Sequence, residues 1–196
     1  MEHYFSEKPK SKLKLNKINT ILLKKNFQFY TSPGVFSKNK IDKGTKLLIE
    51  KAIIKPKQKI LDLGCGYGVI AIVIKKIFPK TDVTALDINE RAILLTKKNA
   101  KLNNVKIKVI KSNLFDNIKE KFDVILVNPP QKAGKELCFK IIEESKKHLK
   151  PNGTLQLVAR HNKGGKTLEK KMKEVFNNTT TLAKKAGYRV YLSKKQ

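Results

Sequence analysis

The stretch ILDLGCGYGVI, residues 60–70, limits the fold more than any other part of this chain. It opens with apolar residues of buried-strand type and turns on Gly64, Gly66 and Gly68. It then runs into residues 69–74, an unbroken apolar run that suits a buried helix. A strand that turns on glycines into a helix is the start of a nucleotide-binding unit. Without Cβ atoms the backbone can closely approach a ligand, and the helix N-terminus beyond offers free N–H groups. The next apolar run, residues 83–87, ends in Asp87, roughly twenty residues beyond the glycines, where such folds hold ribose hydroxyls.

Strand and helix patterns alternate from there. Strands are expected at residues 60–63, 83–87, 107–110 and 122–127, and helices from the glycines to Ile77, over 89–102 and over 135–149. Leu137, Ile141, Ser145 and Leu149 share one face of the last of these, which reads as core. Pro151-Asn152-Gly153 turns the chain into a strand over 154–160. A further helix buries Leu168, Met172 and Phe176, and residues 179–183 and 188–192 form an antiparallel pair. Upstream, residues 18–24 and 27–31 read as a hairpin turning at Lys25-Asn26, and Asp42 stands in N-cap position before a helix over 43–54. Repeated βαβ units predict an α/β fold with a parallel sheet and helices on both faces. An antiparallel terminal strand has no place in an all-parallel dinucleotide fold. The length suits one domain over 1–196, an arm and hairpin over 1–41 preceding a core over 42–196.

Lys and Arg total 44 against 16 Asp and Glu, a formal charge of +28. With a globular apolar pattern, that excess points to nucleic acid more than to membrane. Arg91, Arg160 and Arg189 are the only arginines. Cys65 and Cys138 are too few for a disulfide framework and lack metal-ligand spacing, which fits a reducing cytosol and no metal. Residues 1–12 hold no apolar signal core and no run approaches transmembrane length, so a soluble cytoplasmic protein is expected. His148 reads as a helix-end residue and His161 as a loop residue. The segment Lys163-Gly164-Gly165-Lys166 lacks full phosphate-loop spacing and reads as the flexible start of a helix.

The apolar strand 122–127 runs into Asn128-Pro129-Pro130. This ending resembles that of the class I methyltransferases that use S-adenosylmethionine and act on planar nitrogen. More narrowly, the chain resembles the small-domain family containing the guanine-N2 methyltransferases of small-subunit ribosomal RNA. Residues 3–9 (HYFSEKP), Pro33-Gly34-Val35-Phe36-Ser37 with Asp42 and Gly44, the glycine turn, Asn128-Pro129-Pro130 and Gly187-Tyr188-Arg189-Val190 carry that likeness across nearly the whole chain. It implies a Rossmann-like, seven-stranded, mostly parallel sheet with a short N-terminal hairpin extension. It also implies S-adenosylmethionine as cofactor and ribosomal RNA or the small ribosomal subunit as partner. Apolar surface on the N-terminal hairpin separately leads to the expectation of a monomer or weak homodimer.

The same resemblance distributes roles. Asn128, Pro129 and Pro130 are expected to be catalytic: the Asn128 side-chain oxygen and the Pro129 carbonyl accept the two hydrogens of the target amine and draw its nitrogen toward tetrahedral geometry. Asp87 takes the ribose, Gly64, Cys65, Gly66 and Gly68 meet the methionine portion, and Asp62 either lies near the donor's amino group or caps the turn. Phe36 and Ile88 complete the cofactor wall. Asn113 and Leu114 occupy the adenine loop, where related enzymes usually carry an acid. Gln131, where an aromatic residue is usual, and Lys132 are the substrate candidates. Adenine N6 and a protein glutamine amide remain open as acceptors, as does a non-catalytic RNA-binding or assembly factor on the same fold. A nicotinamide-dependent oxidoreductase would leave Asn128-Pro129-Pro130 without a task.

Overall fold

The structure, a computed structural model, describes residues 7–9 and 11–196. Residues 3–6 of the expected arm motif lie outside these. Strands β1 (Asn16–Leu22) and β2 (Lys25–Thr31) form an antiparallel hairpin in which Leu22 faces Lys25. The turn therefore falls on Leu23-Lys24, with φ of 46° and 62°, the left-handed pair that a two-residue hairpin turn needs. The sequence pointed to Lys25-Asn26 because asparagine favours such turns. Burial decides otherwise: Phe27, Phe29 and Thr31 alternate inward along β2, and this register places Leu22 in the core.

Helix α1 (Lys43–Lys51) stops short of the expected Ile54. The buried Gln156 side chain takes both backbone groups of Ile53, its Oε1 accepting from N and its Nε2 donating to O, each at 2.9 Å. Pro56 also disfavours helix in the residue before it.

The remaining strands build one sheet: β3 (Lys59–Leu63), β4 (Asp82–Asp87), β5 (Lys108–Lys111), β6 (Phe122–Val127), β7 (Leu149–Arg160), β8 (Thr180–Lys185) and β9 (Tyr188–Lys194). Their order is β5-β4-β3-β6-β7-β9-β8, and β9 runs antiparallel to both neighbours. This is the expected seven-stranded sheet with its terminal strand reversed. Helices α2 (Val69–Ile77) and α3 (Glu90–Leu102) join α1 on one face, and α4 (Lys135–His148) and α5 (Lys166–Phe176) cover the other. Successive residues of a strand point to opposite faces, so Ile60 packs with the first group while Leu61 and Leu63 pack with the second. Every residue of α2 from Val69 to Ile74 is buried, as an all-apolar helix must be.

Leu149, expected to end α4, instead begins β7 by pairing with Phe122, and pairing resumes at Val124 with Thr154. The expected turn at Pro151-Asn152-Gly153 is thus a bulge within the strand. Strand order reverses between β3 and β6, so the carboxyl ends of β3, β4 and β6 border a crevice, the place where open α/β sheets bind ligands.

Candidate active site

The glycine turn folds back onto the end of β4, where the backbone nitrogens of Gly64 and Cys65 donate to the Leu86 carbonyl at 2.9 and 2.8 Å. Gly68 caps α2 at φ 90°, and a Cβ there would come within 2.9 Å of the Thr96 side chain. At Gly64 and Gly66 the opposite holds: a Cβ would meet nothing within 4 Å, because both border the open cleft. That open backbone surface is the cradle expected for a closely approaching ligand.

Asp87 ends β4 inside the cleft. Its Oδ2 accepts from Gly66 N at 2.8 Å and its Oδ1 from Asn89 N at 2.9 Å, leaving each oxygen able to accept again. Burial raises its pKa to about 6, with backbone donors opposing the rise, so it is ionised at neutral pH. Asp62 behaves differently. It is almost wholly buried and does not line the cleft; its Oδ2 caps α2 by accepting from Ala71 N at 3.0 Å. Its Oδ1 has no partner among the described residues, and burial, with the Asp87 charge adding to it, lifts its pKa to about 7. Of the two roles expected for Asp62, the geometry displays the cap. Gly68 likewise stands behind the wall.

Phe36, Cys65, Ile88, Asn113 and Leu114 all face the cleft. Leu137 and Ile141, expected as core alone, line it as well. Asn128, Pro129 and Pro130 close it at the end of β6. The Asn128 Nδ2 donates to Asp42 Oδ2 at 3.2 Å and Thr45 Oγ1 at 3.0 Å, while its Oδ1 has no partner among the described residues. Pro130, at φ −75° and ψ 73°, sits in an inverse γ-turn in which Pro129 O accepts from Gln131 N at 2.8 Å. One lone pair of the Pro129 carbonyl is therefore used, and the other stays available.

Gln131 departs from expectation. Its Oε1 accepts from Arg160 N at 3.0 Å and its Nε2 donates to Lys163 O at 2.9 Å, so the amide braces the turn after Pro130, and Gln131 lies outside the cleft lining. Lys132 is exposed on the same turn, outside the cleft lining. The Lys163–Lys166 segment leads into α5 across a kink, with non-helical backbone at Lys163 and Gly164, and that brace holds it; a Cβ on buried Gly165 would lie 2.7 Å from Arg160 O. His161 pairs with Tyr191 Oη at 2.8 Å and His148 stacks on Phe115, both away from the cleft.

Sequence reasoning missed the residues that hold the walls in place. Asn89 caps α3 and donates to Gly34 O at 2.9 Å, fastening the segment that carries Phe36. The Arg91 guanidinium reaches Ser11 and the Pro9 and Pro33 carbonyls, fastening the arm beside α3. Arg91 being one of three arginines among so many lysines was the available signal, since a fork of donors does what an ammonium cannot.

S-adenosylmethionine fits this donor set. Asp87 offers an ionised acceptor for ribose hydroxyls, the glycine backbone leaves room for the amino-acid portion, and Ile88 and Leu114 supply apolar walls. Among the described residues, no group of three or more His, Cys, Asp or Glu is placed to hold a metal. No helix among them is long and apolar enough to cross a membrane.

The reversed last strand separates this sheet from the all-parallel dinucleotide-binding folds that share its glycine turn and ribose acid, and it defines the class I methyltransferases. The methyltransferase small domain matches residues 26–192, and the chain belongs to that family. It is 38% identical to YbxB of Bacillus subtilis, itself uncharacterised, over 99% of this chain and 98% of that one. It is 37% identical to the ribosomal RNA small subunit methyltransferase C of Buchnera aphidicola, over 93% of this chain and 54% of the relative. With the protein of that name from Haemophilus influenzae the figures are 36%, 85% and 51%. The chain spans about half the length of these small-subunit methyltransferases. A 16S rRNA N2 methyltransferase from T. thermophilus, in complex with AdoMet and guanosine, superposes with a TM-score of 0.81 at 24% identity, over 96% of this chain and 52% of that one. Family membership bears out the expected methyltransferase, with S-adenosylmethionine as its methyl donor.

Proposed function

We propose that this protein transfers a methyl group from S-adenosylmethionine to the exocyclic N2 amine of a guanine in small-subunit ribosomal RNA. The observation that carries the reading is the pair of acceptors at the end of β6: Asn128 Oδ1, without a partner among the described residues, and the second lone pair of Pro129 O. Two acceptors side by side suit an amine that presents two hydrogens. The names of the half-length matches and the +28 charge support an RNA acceptor.

The cofactor, when bound, supplies an electrophilic methyl on a sulfonium. Asp87 and the backbone at Gly64 and Gly66 would hold it, beside the ends of β3 and β4. The target nitrogen's lone pair is delocalised into the base, and accepting its two hydrogens at Asn128 and Pro129 holds the nitrogen in line and favours tetrahedral geometry. The inverse γ-turn and the proline ring fix these acceptors before substrate arrives. Such positioning supplies several kcal/mol, up to about 7–11 in favourable intramolecular cases. No strong base is needed, because the amine loses its proton readily once methylation begins. An amino group in a duplex cannot reach a buried methyl, so the guanine is unpaired or flipped out.

The test is transfer of radiolabelled methyl from S-adenosylmethionine to isolated small subunits, large subunits, total RNA and cell protein, followed by nucleoside analysis. Label appearing as N2-methylguanosine in small-subunit RNA is the expected outcome. N6-methyladenosine or methylglutamine would replace the acceptor. Cofactor binding without transfer to any fraction would move the protein to an assembly role. Asn128→Ala is expected to lower transfer by at least about 100-fold while cofactor affinity stays within a few fold.

A further inference from the structure

We propose that Asp42 and Thr45 are positioning residues that set which end of the Asn128 amide faces the target, and that Tyr188 of β9 holds Asp42 in place for that task. The proposal rests on the reading of Asn128 as the acceptor of the target amine and adds the groups that make it one.

A carboxylate oxygen and the Thr45 hydroxyl both lie within hydrogen-bond distance of one terminal atom of Asn128, at 3.2 and 3.0 Å. The carboxylate only accepts, so that atom is the NH2 group, and both of its hydrogens are used. The carbonyl end is thereby turned to the cleft. Left alone, a primary amide reverses at little cost, because its two ends have nearly the same shape and its terminal torsion is broadly two-fold. A reversed Asn128 would present hydrogens to the hydrogens of the target amine and repel it.

Asp42 is itself held from two further directions. Its Oδ2 accepts Thr45 N at 3.0 Å as the N-cap of α1, and its Oδ1 accepts the Tyr188 hydroxyl at 3.1 Å. The Arg160 guanidinium lies 5.4 Å from the centre of the Tyr188 ring and steadies it. Gly44 makes the approach possible, since a Cβ there would come within 2.7 Å of the Tyr188 ring and 2.8 Å of Asp42 Oδ2. Asp42, which the sequence offered as a helix cap, and Gly44, which it offered only through the family likeness, are thus joined by one physical reason.

The experiment separates capping from positioning. Serine caps a helix about as well as aspartate but is too short to reach Asn128, so Asp42→Ser combined with Thr45→Val keeps α1 and removes both partners of the amide. The expected result is a loss in kcat of about 10- to 100-fold, with S-adenosylmethionine affinity unchanged within a few fold. Introduced into an Asn128→Ala background, the pair is expected to cost nothing further, because it acts only through that residue. Asp42→Asn, which can keep an acceptor toward Asn128 and offer its NH2 to the Tyr188 oxygen, should recover most of the lost rate. Equal additional losses in the Asn128→Ala background would overturn the proposal in favour of a structural role. Failure of Asp42→Asn to recover the rate would overturn it in favour of direct use of the charge. The methylated product of the unaltered protein reports on the functional reading, whereas these ratios apply to whichever amine is methylated. A readout independent of turnover is the side-chain amide resonance of Asn128. Its protons should shift downfield in the unaltered protein and in Asp42→Asn, and lose that shift in the double variant; unmoved resonances there would sink the idea.

Discussion

Asp62 and Asp87 end up in different chemistry although both stand at or near the carboxyl end of a strand. Asp87 has a donor on each oxygen and faces the cleft, whereas Asp62 has one donor and no solvent. Both hold their protons in the folded chain to higher pH than the usual carboxylate value of 3.8, to about 6 and about 7. Between about pH 4 and 7 the ligand-free folded state therefore binds more protons than the unfolded one, and stability falls as pH rises. Asp62→Asn keeps the acceptor for Ala71 N and removes the charge. It should stabilise the protein by about 1–4 kcal/mol more at pH 8 than at pH 5, measured by urea unfolding. An equal effect at both values would exclude the charge as the cause. The sequence located both acids but left Asp62 with two roles, because its choice depends on burial. The bracing role of Gln131 was hidden for a similar reason, as its partners come from residues about 30 positions away.

The N-terminal hairpin docks through amide side chains rather than apolar contacts alone. Asn99 Oδ1 accepts from Tyr30 N and its Nδ2 donates to Tyr30 O, and Asn103 does the same for Gln28. Four residues of helix rise about 6 Å and two residues of strand about 6.7 Å, so two asparagines a turn apart match alternate residues of β2. Asn99 also donates to Tyr67 O in the glycine turn at 2.8 Å, tying hairpin and cleft together. Asn99→Ala strands three backbone groups and should cost about 3 kcal/mol or more in urea unfolding. Asn103→Ala, nearer the surface, should cost roughly 1–2, and only the first should also weaken S-adenosylmethionine binding. Alternation made β2 legible in the sequence. Its docking was not, because the pairing amides lie 69 and 75 residues away and asparagine on a helix ordinarily faces water.

Over the whole molecule, the alternation of strand and helix and the reversed last strand were legible because periodicity is a local property. The positions of the bulge in β7 and of the hairpin turn were not, because tertiary burial set them. The site was legible where a motif touches the cleft, at Asp87 and Asn128, and illegible where a second residue holds the first. Charge was legible as a total, +28, and it predicts a bulk behaviour. Raising salt from 50 to 200 mM should weaken binding to small-subunit RNA by at least about 10-fold, with S-adenosylmethionine affinity nearly unchanged; an RNA affinity insensitive to salt would mean that the lysines serve something else. The bond from Tyr188 to Asp42 joins residues 146 positions apart. A ribosome delivers the chain from its N-terminus, so β3, β4 and their glycine turn emerge well before β9. A nascent chain can thus complete the turn that presents Asp87 early, while the tyrosine bonded to Asp42 is translated only well after it.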